Sequence, residues 1–512
     1  MSESLFHAFQ EANPGPGRIF LTTAEGRQLS YGALFGGALR YAAALASLGA
    51  QPGERVAVQG EKSVEGLLLY LGCLATGAVY LPLNPAYTPA EVEYFLSDAQ
   101  PRILICDPAR FSVLADVAAR CGLAHIETLG ADGSGTLPEI VAGHDSDFAP
   151  RARHGGDLAA ILYTSGTTGR AKGAILSHGN LASNARTLAG LWRMNRDDVL
   201  LHALPIFHTH GLFVALSTVL LAGASMIWLP KFDAGAVVAA LARSTVLMGV
   251  PTFYSRLLAR ADFSRETCAN MRLFISGSAP LSAQTHQEFQ ARSGHAILER
   301  YGMTETGMNT SNPYEGERKP GTVGHPLPGV DLRIADPDSG APLGPGEIGV
   351  IEVRGPNVTP GYWRNAEKTR EAFRDDGFFI TGDLGQIGAD GYVSIVGRDK
   401  DLIISGGLNV YPAEVEAALD ALPGIAESAV IGLPHGDFGE AVTAVLAARA
   451  GSKVNGAEIA AALGGKLAAF KIPKQVIAVD ALPRNAMGKI EKAALRECYA
   501  GLYGDGSKAA SR

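Results

Sequence analysis

Short apolar runs at 55–58, 78–83, 103–106 and 159–163 are separated by amphipathic stretches. Runs of this length bounded by turn residues predict buried strands, and their alternation with helical patterns predicts α/β layers with largely parallel sheets. After 159–163 a Gly/Thr-rich loop is expected to lead into a helix, on which Leu181, Ala185, Leu188 and Trp192 recur at helical spacing. From about 323 to 395 the texture changes to short strands divided by Gly and Pro turns, as in PDSGAPLGPGEIG and GADGY, which predicts a β-rich subdomain. Beyond Arg398, an apolar run at 402–405, a helix at 413–421, a strand at 428–431 and a further apolar run at 441–448 predict a small α+β unit. The expected division is therefore a large N-terminal domain over 1–399, a small mobile C-terminal domain over 400–503, and a disordered tail over 504–512. The uncharged stretch 212–229 is long enough to raise a membrane span. Ser217, Thr218, Gly223 and Ser225 interrupt it, so it reads better as a buried helix followed by a strand.

Composition narrows the classes. With 512 residues, 47% of them hydrophobic and 19% charged, the chain can fill several cores and is too apolar for general disorder. The net charge of -7, with Lys and Arg dispersed, leaves no basic field for nucleic acid or an anionic membrane. Five cysteines without a CxxC pair fit reduced thiols and are expected in the core. The first residues, MSESLFHAFQEANPGPGR, contain neither an apolar signal core nor an Arg-rich transit pattern, so a cytoplasmic location is expected.

Four segments carry chemistry. Tyr163-Thr164-Ser165-Gly166-Thr167-Thr168-Gly169-Arg170-Ala171-Lys172-Gly173 combines glycines, hydroxyls and a lysine, the composition of a polyphosphate cradle, without the Gly-Lys-Ser/Thr closure of a Walker loop. A flexible linker is the bland alternative. Tyr301-Gly302-Met303-Thr304-Glu305 offers an aromatic face, a hydroxyl and a carboxylate, suited to stacking on adenine and holding Mg²⁺; a solvated Glu305 is the alternative. Asp383 is expected just beyond the end of a strand, where it can accept both ribose hydroxyls with Arg398 as companion; a structural ion pair between the two competes. Lys489 follows Pro483-Arg484-Asn485-Ala486-Met487-Gly488, a loop able to reach out from a small terminal domain.

TSGTTGRAKG, YGMTE, TGD, GRDKD and PRNAMGK occur in the order seen in the adenylate-forming superfamily of acyl-CoA synthetases, adenylation domains and luciferases, and the chain resembles that superfamily over nearly its whole length. The resemblance implies an ATP- and Mg²⁺-dependent activation of a carboxylic acid, followed by transfer to coenzyme A. It implies that Tyr301 stacks on the base, that Thr304 contacts phosphate, and that Glu305 holds Mg²⁺ with Thr164. Gly277, Ser278, Ala279 and Gly302 join the nucleotide site, Asp383 and Arg398 hold the ribose, and Lys489 is the catalytic lysine. Lys400 is implied as the hinge between the domains, and Gly406 and Gly407 as part of the thiol tunnel. Ala171 departs from the pattern, standing where proline is common, which is expected to alter loop stiffness and not chemistry. Acetylation of Lys489 by a lysine acetyltransferase would erase the charge that adenylation uses.

The acyl pocket is expected from 204–211, 275–280 and 298–301. Arg300, His208 and Ser276 are polar where a long-chain or aryl enzyme would be apolar, and a guanidinium can grip a second carboxylate in a bidentate fork. Pairing of Arg300 with Glu299 is the competing reading. PIFHTHGLF, VLMGVPTFY, RLFISGSAPL and LERYGMTET resemble the malonyl-CoA synthetases within the superfamily, which implies malonate, or methylmalonate, as the acid. Other short acids, a carrier-protein thiol in place of CoA, and luciferase-type oxidation are the alternatives. His202, His208 and His210 match no standard zinc spacing.

Overall fold

A computed structural model describes residues 4–164, 171–398, 401–405, 408–435, 437–449, 451–452, 454–464, 466–485 and 488–503. Two mixed sheets form the bulk of it. In the six-stranded sheet the order is His125–Thr128, Ile103–Cys106, Arg55–Gln59, Val79–Pro82, Leu158–Thr164 and Lys172–Ser177, all neighbours parallel except the last pair. The nine-stranded sheet has a parallel centre in the order Leu298–Met303, Leu273–Ser276, Val246–Gly249, Val199–His202, Ser225–Trp228 and Ile19–Thr23, with antiparallel strands at both ends. The central strands are apolar and buried on both faces, as helix-covered parallel strands must be.

One strand was not expected. Lys172–Ser177 runs antiparallel to Leu158–Thr164 before the helix His178–Leu191 begins, so a strand stands between the Gly/Thr-rich segment and that helix. Ser177 then caps that helix reciprocally with Asn180. The stretch 212–229 divides as expected: a π-helical turn, His210–Leu216, runs into the helix Ser217–Ala222, Gly223 ends it in the left-handed region, and the strand Ser225–Trp228 follows. Among the described residues no helix is long and apolar enough to cross a membrane. Cys73, Cys106 and Cys268 are buried free thiols, but Cys121 is half-buried and Cys498 exposed, so the expectation of five core cysteines holds for three.

Strands Asp331–Ala335, Gly349–Arg354, Phe379–Ile387 and Val393–Arg398 form an antiparallel sheet with its own apolar cluster around Ile351, Val353 and Phe379. Beyond it, Ile403–Ser405, Leu408–Val410, Ile425–His435, Gly439–Ala448 and Gln475–Val479 make a separate sheet under the helices Pro412–Asp420 and Gly456–Leu463, with a core of Val415, Leu419, Val430, Val442 and Leu446.

The two large sheets are tied together by a buried lysine. Lys62 lies between the strand Arg55–Gln59 and the helix Val64–Thr76, and its Nζ donates to the carbonyls of His202 (2.9 Å) and Leu229 (2.6 Å), which end strands of the other sheet. It also meets His202 Nδ1 at 2.7 Å and lies 4.1 Å from the Trp228 ring centroid. Burial pushes the Lys62 pKa well below its ordinary value; three acceptors and an aromatic face offset part of that cost. Lys62→Ala and Lys62→Met are expected to lower the unfolding free energy by about 2–4 kcal/mol, because buried acceptors lose their donor. Urea denaturation checks this, and a loss smaller than about 0.5 kcal/mol, the range of inert surface changes, would contradict the clamp.

Candidate active site

Parallel strands bring their carboxyl ends to one edge, where loops and helix starts can converge on a ligand. Here that edge gathers His202, Gly249 and Ser276 at strand ends, with Thr164 at the end of its strand in the other sheet. The strand Leu298–Met303 supplies Arg300, Tyr301 and Gly302, and a tight turn closed by Gly307 in the left-handed region carries Thr304 and Glu305.

The two sheets meet at Glu305. Its Oε1 accepts from the hydroxyls of Thr164 (3.2 Å) and Tyr362 (3.1 Å), and the side chain is only 5% exposed, so it is not a solvated loop carboxylate. Burial raises its pKa, and the two hydroxyls counter part of the rise. Thr164 stands opposite Lys172 in the hairpin register, and Lys172 Nζ lies 5.1 Å from the Tyr362 ring centroid. Thr209 Oγ1 lies 3.5 Å from Thr304 Oγ1. Ser165, Gly166, Thr167, Thr168 and Gly169 lie outside the described residues, as do Lys400, Gly406 and Gly407. Tyr362 carries no local sequence signal; its place in the site comes only from the fold.

Asp383 is within the strand Phe379–Ile387, directly opposite Arg398, and not beyond a strand end as expected. Arg398 Nε lies 3.1 Å from Asp383 Oδ1, and Tyr301 donates its hydroxyl to Asp383 Oδ2 at 2.6 Å. The ion pair weighed as an alternative is therefore present, and each carboxylate oxygen retains a lone pair for a further donor. Ser278 holds a positive φ of 71° and lies with its Oγ 3.2 Å from His210 Nδ1. Ala279 follows it in the same loop.

Around Arg300 the donors outnumber their partners. The side chain is buried, its Nε and Nη2 have no hydrogen-bond partner, and Ser276 Oγ and His210 Nε2 are buried and unpaired as well. A Cβ at Gly277 would fall 2.4 Å from Arg300 Cζ, so only glycine lets the guanidinium lie on this backbone. Burial lowers the Arg300 pKa to about 10, which leaves it a cation at neutral pH. Burial and then the Arg300 charge depress His208 to about 4, and the same causes hold His210 well below its ordinary value, so both imidazoles are neutral. His208 Nδ1 accepts from the His210 amide (3.3 Å), which leaves the His208 proton on Nε2. A buried cation and neutral hydrogen-bond donors without an anion make a site that a carboxylate would complete.

The Lys489 segment is a small hairpin: Asn485 N donates to the Lys489 carbonyl (2.9 Å), Lys489 N to Asn485 Oδ1 (3.0 Å), and Gly488 N to the Asn485 carbonyl (2.8 Å). Gly488 lies against the large domain, since a Cβ there would be 3.0 Å from Thr252 Oγ1.

A model of the AMP-binding enzyme family matches residues 8–363, and one of the AMP-binding enzyme C-terminal domain matches residues 414–489. A malonate–CoA ligase of Arabidopsis thaliana is 33% identical over 96% of this chain and 88% of its own. A feruloyl-CoA synthase of an Amycolatopsis species is 37% identical over 93% of this chain and 94% of its own. The crystal structure of ATP-bound MatB from Rhodopseudomonas palustris is 57% identical, with a TM-score of 0.96 covering 98% of this chain and 100% of that one.

Glu299 does not pair with Arg300. Adjacent strand residues point to opposite faces, and Glu299 turns to the loop after Ser276, accepting from the Leu281 amide at 3.1 Å while its Oε2 is unpaired. Burial pushes its carboxyl up to about 8. The folded protein thus keeps a proton that the unfolded chain releases near 4.5, so stability falls as pH rises across that window. Glu299→Gln removes this titration. Its melting temperature relative to wild type is expected to rise steadily between pH 5 and pH 8, and a difference that stays flat across that range would refute a protonated Glu299.

Proposed function

This chain belongs to the family of AMP-binding enzymes, and we propose that it joins malonate to coenzyme A through malonyl-adenylate. Malonate and ATP give the adenylate and pyrophosphate; attack by the CoA thiol then gives malonyl-CoA and AMP. The observation that carries the malonate reading is the buried Arg300 guanidinium with unpaired Nε and Nη2. One carboxylate of malonate would complete that cation, with Ser276 Oγ and the N–H groups of His208 and His210 as further donors, and leave the other carboxylate to react. An aryl acid such as ferulate would bury the same cation unpaired, at a cost of several kcal/mol. Methylmalonate carries the same second carboxylate and is the natural runner-up.

In the first step the reacting carboxylate attacks the α-phosphorus, so two anions approach each other. The Lys489 ammonium, presented by its hairpin, lowers the energy of that charge as it builds. Thr164 and Lys172 bracket the phosphate-binding loop, whose Ser165, Gly166, Thr167, Thr168 and Gly169 are assigned to the phosphates from the sequence. Tyr301, Gly302, Gly277, Ser278 and Ala279 receive the adenine, Thr304 a phosphate oxygen, and Asp383 with Arg398 the ribose hydroxyls. Glu305 and Thr164 present hard oxygen ligands, and the burial cost of the Glu305 carboxylate is one that a cation would relieve, so the pair fits Mg²⁺. Bound there, Mg²⁺ would neutralise triphosphate charge. For the second step, Lys400 is assigned as the hinge and residues 405–409, with Gly406 and Gly407, as the path of the thiol.

The test is CoA-dependent AMP and thioester formation with acetate, malonate, methylmalonate, succinate, octanoate and ferulate. Malonate is expected to lead. Arg300→Ala is expected to lower kcat/KM for malonate by on the order of 10²-fold or more with KM for ATP unchanged, and Gly277→Ala, which keeps the guanidinium but displaces it, is expected to lower kcat/KM for malonate to a similar extent. If acetate, octanoate or ferulate leads, the dicarboxylate pocket is wrong while the ligase class survives. Acetylation of Lys489 by a lysine acetyltransferase is expected to abolish adenylation; full activity of protein shown by intact mass to be acetylated there would refute that.

A further inference from the structure

The hairpin that carries Lys489 is closed by backbone hydrogen bonds, and Glu491 N to the Pro483 carbonyl (2.9 Å) and an antiparallel bridge between Arg484 and Ile490 seal its neck. A side chain then fixes the closed hairpin to the domain beneath it. Arg484 Nη1 donates to the Gly488 carbonyl at 2.5 Å, and its Nη2 pairs with the Glu427 carboxylate. The Gly488 carbonyl belongs to the peptide unit that leads into Lys489, so a donor held on it fixes the plane from which the lysine side chain departs. Gly488 sits at φ 75°, a conformation that glycine adopts without strain and a side chain would not, so the residue before Lys489 suits the turn that Arg484 braces. Glu427 lies on Ile425–His435, the longest strand of the small domain's sheet, which pairs along its length with Gly439–Ala448 and whose residues Ala429, Val430 and Ile431 are fully buried. The guanidinium therefore links a rigid strand to the one peptide whose orientation aims the lysine.

We propose that Arg484 is a positioning residue for adenylation: its fork between Glu427 and the Gly488 carbonyl aims Lys489 at the reacting phosphate. This rests on the assignment of Lys489 as the adenylating lysine. A purely structural brace is the alternative, and the two differ in what they do to the half-reactions. Aiming Lys489 matters to formation of the adenylate and not to thiol attack on it, whereas loss of a brace weakens the domain for both. A second ion pair in the same domain, Lys492 Nζ to Glu416 Oε1 at 2.6 Å, ties the far side of the hairpin to the helix Pro412–Asp420 without touching the Gly488 carbonyl, and so serves as a matched comparison.

The experiment measures malonate-dependent ATP–pyrophosphate exchange, and separately thioester formation from supplied malonyl-adenylate and CoA, on the full-length protein. Wild type, Arg484→Ala, Arg484→Lys, Glu427→Ala, Lys492→Ala and Lys489→Ala are compared, with melting temperatures. Arg484→Ala is expected to lose about 10²-fold in exchange, the cost of misplacing a reacting group by an ångström or so, while thioester formation stays within about twofold. Glu427→Ala, which keeps the arginine but unties it, is expected to follow Arg484→Ala. Arg484→Lys, which keeps the charge but cannot reach both partners as a fork, is expected to fall between. Equal losses in both half-reactions, unchanged exchange in Arg484→Ala, or an equal exchange loss in Lys492→Ala would overturn the proposal. If Arg484→Ala does not fold, Glu427→Ala decides by the same split. Exchange that survives in Lys489→Ala would instead overturn the assignment on which the proposal rests.

Discussion

The site exists because two sheets that share no strand pack on one apolar core, across which Lys62 makes a polar clamp. Its ammonium group spans from the connector after Arg55–Gln59 to the ends of Val199–His202 and Ser225–Trp228, closing on two carbonyls and one imidazole nitrogen. The imidazole passes the constraint on. Since a carbonyl only accepts, His202 Nε2 must carry the proton that meets the Gly211 carbonyl at 3.0 Å, and Nδ1 is left as acceptor for the lysine. Gly211 opens the π-helical turn next to His210, and a side chain there would collide with the Pro205 carbonyl. One buried amine thus bridges the two sheets beside the turn that carries His210, within the apolar cluster that packs them together.

Given that frame, the acyl pocket is an electrostatic problem left half solved. A guanidinium taken out of water costs several kcal/mol unless an anion and hydrogen bonds replace the solvent. Among the described residues no carboxylate pairs with Arg300, and its nearest candidate, Glu299, is turned away and driven towards its neutral form. The imidazoles beside it are neutral, so they add donors without adding charge. A substrate with a second carboxylate restores what folding removed, and a substrate without one leaves the deficit in place. Specificity of this kind depends on what the wrong acid fails to satisfy as much as on what the right one gains.

Much of this was legible along the chain, and what was hidden shares one cause. Alternating apolar runs and helical spacing gave the layered α/β class, because burial on both faces writes itself into local composition. Compact motifs singled out Thr164, Lys172, Arg300, Tyr301, Glu305 and Lys489, because each brings its chemistry within a few residues. Lys172–Ser177 escaped notice because KGAILS is as good an entry to a helix as a strand, and only pairing with Leu158–Thr164 decides. Asp383 was expected past its strand because the pairing with Arg398 that extends the strand is a tertiary fact. Tyr362 and Lys62 left no trace, since their partners are 57 and 140 residues away and a lone tyrosine or lysine is otherwise an ordinary residue.

The small domain has its own sheet and its own core, and it meets the large domain where the helix Pro412–Asp420 lies beside the strand Val393–Arg398 and at two slighter contacts. Arg449 and Glu288 lie 3.6 Å apart with both side chains about half in water, a pair worth at most about 1 kcal/mol. The Lys489 hairpin touches Thr252 through a glycine, which offers almost no surface. Contacts of that kind are ones that bound ligand can outweigh. On the role proposed for Lys489, a reaction with two unlike steps requires that freedom, because the ammonium that favours adenylate formation has to be withdrawn before a thiol can enter. The Arg484 fork to Glu427 and the Gly488 carbonyl lies wholly inside the small domain. Rotation of that domain would therefore carry the hairpin as one piece, so that the tie which aims Lys489 in the first step also removes it intact for the second.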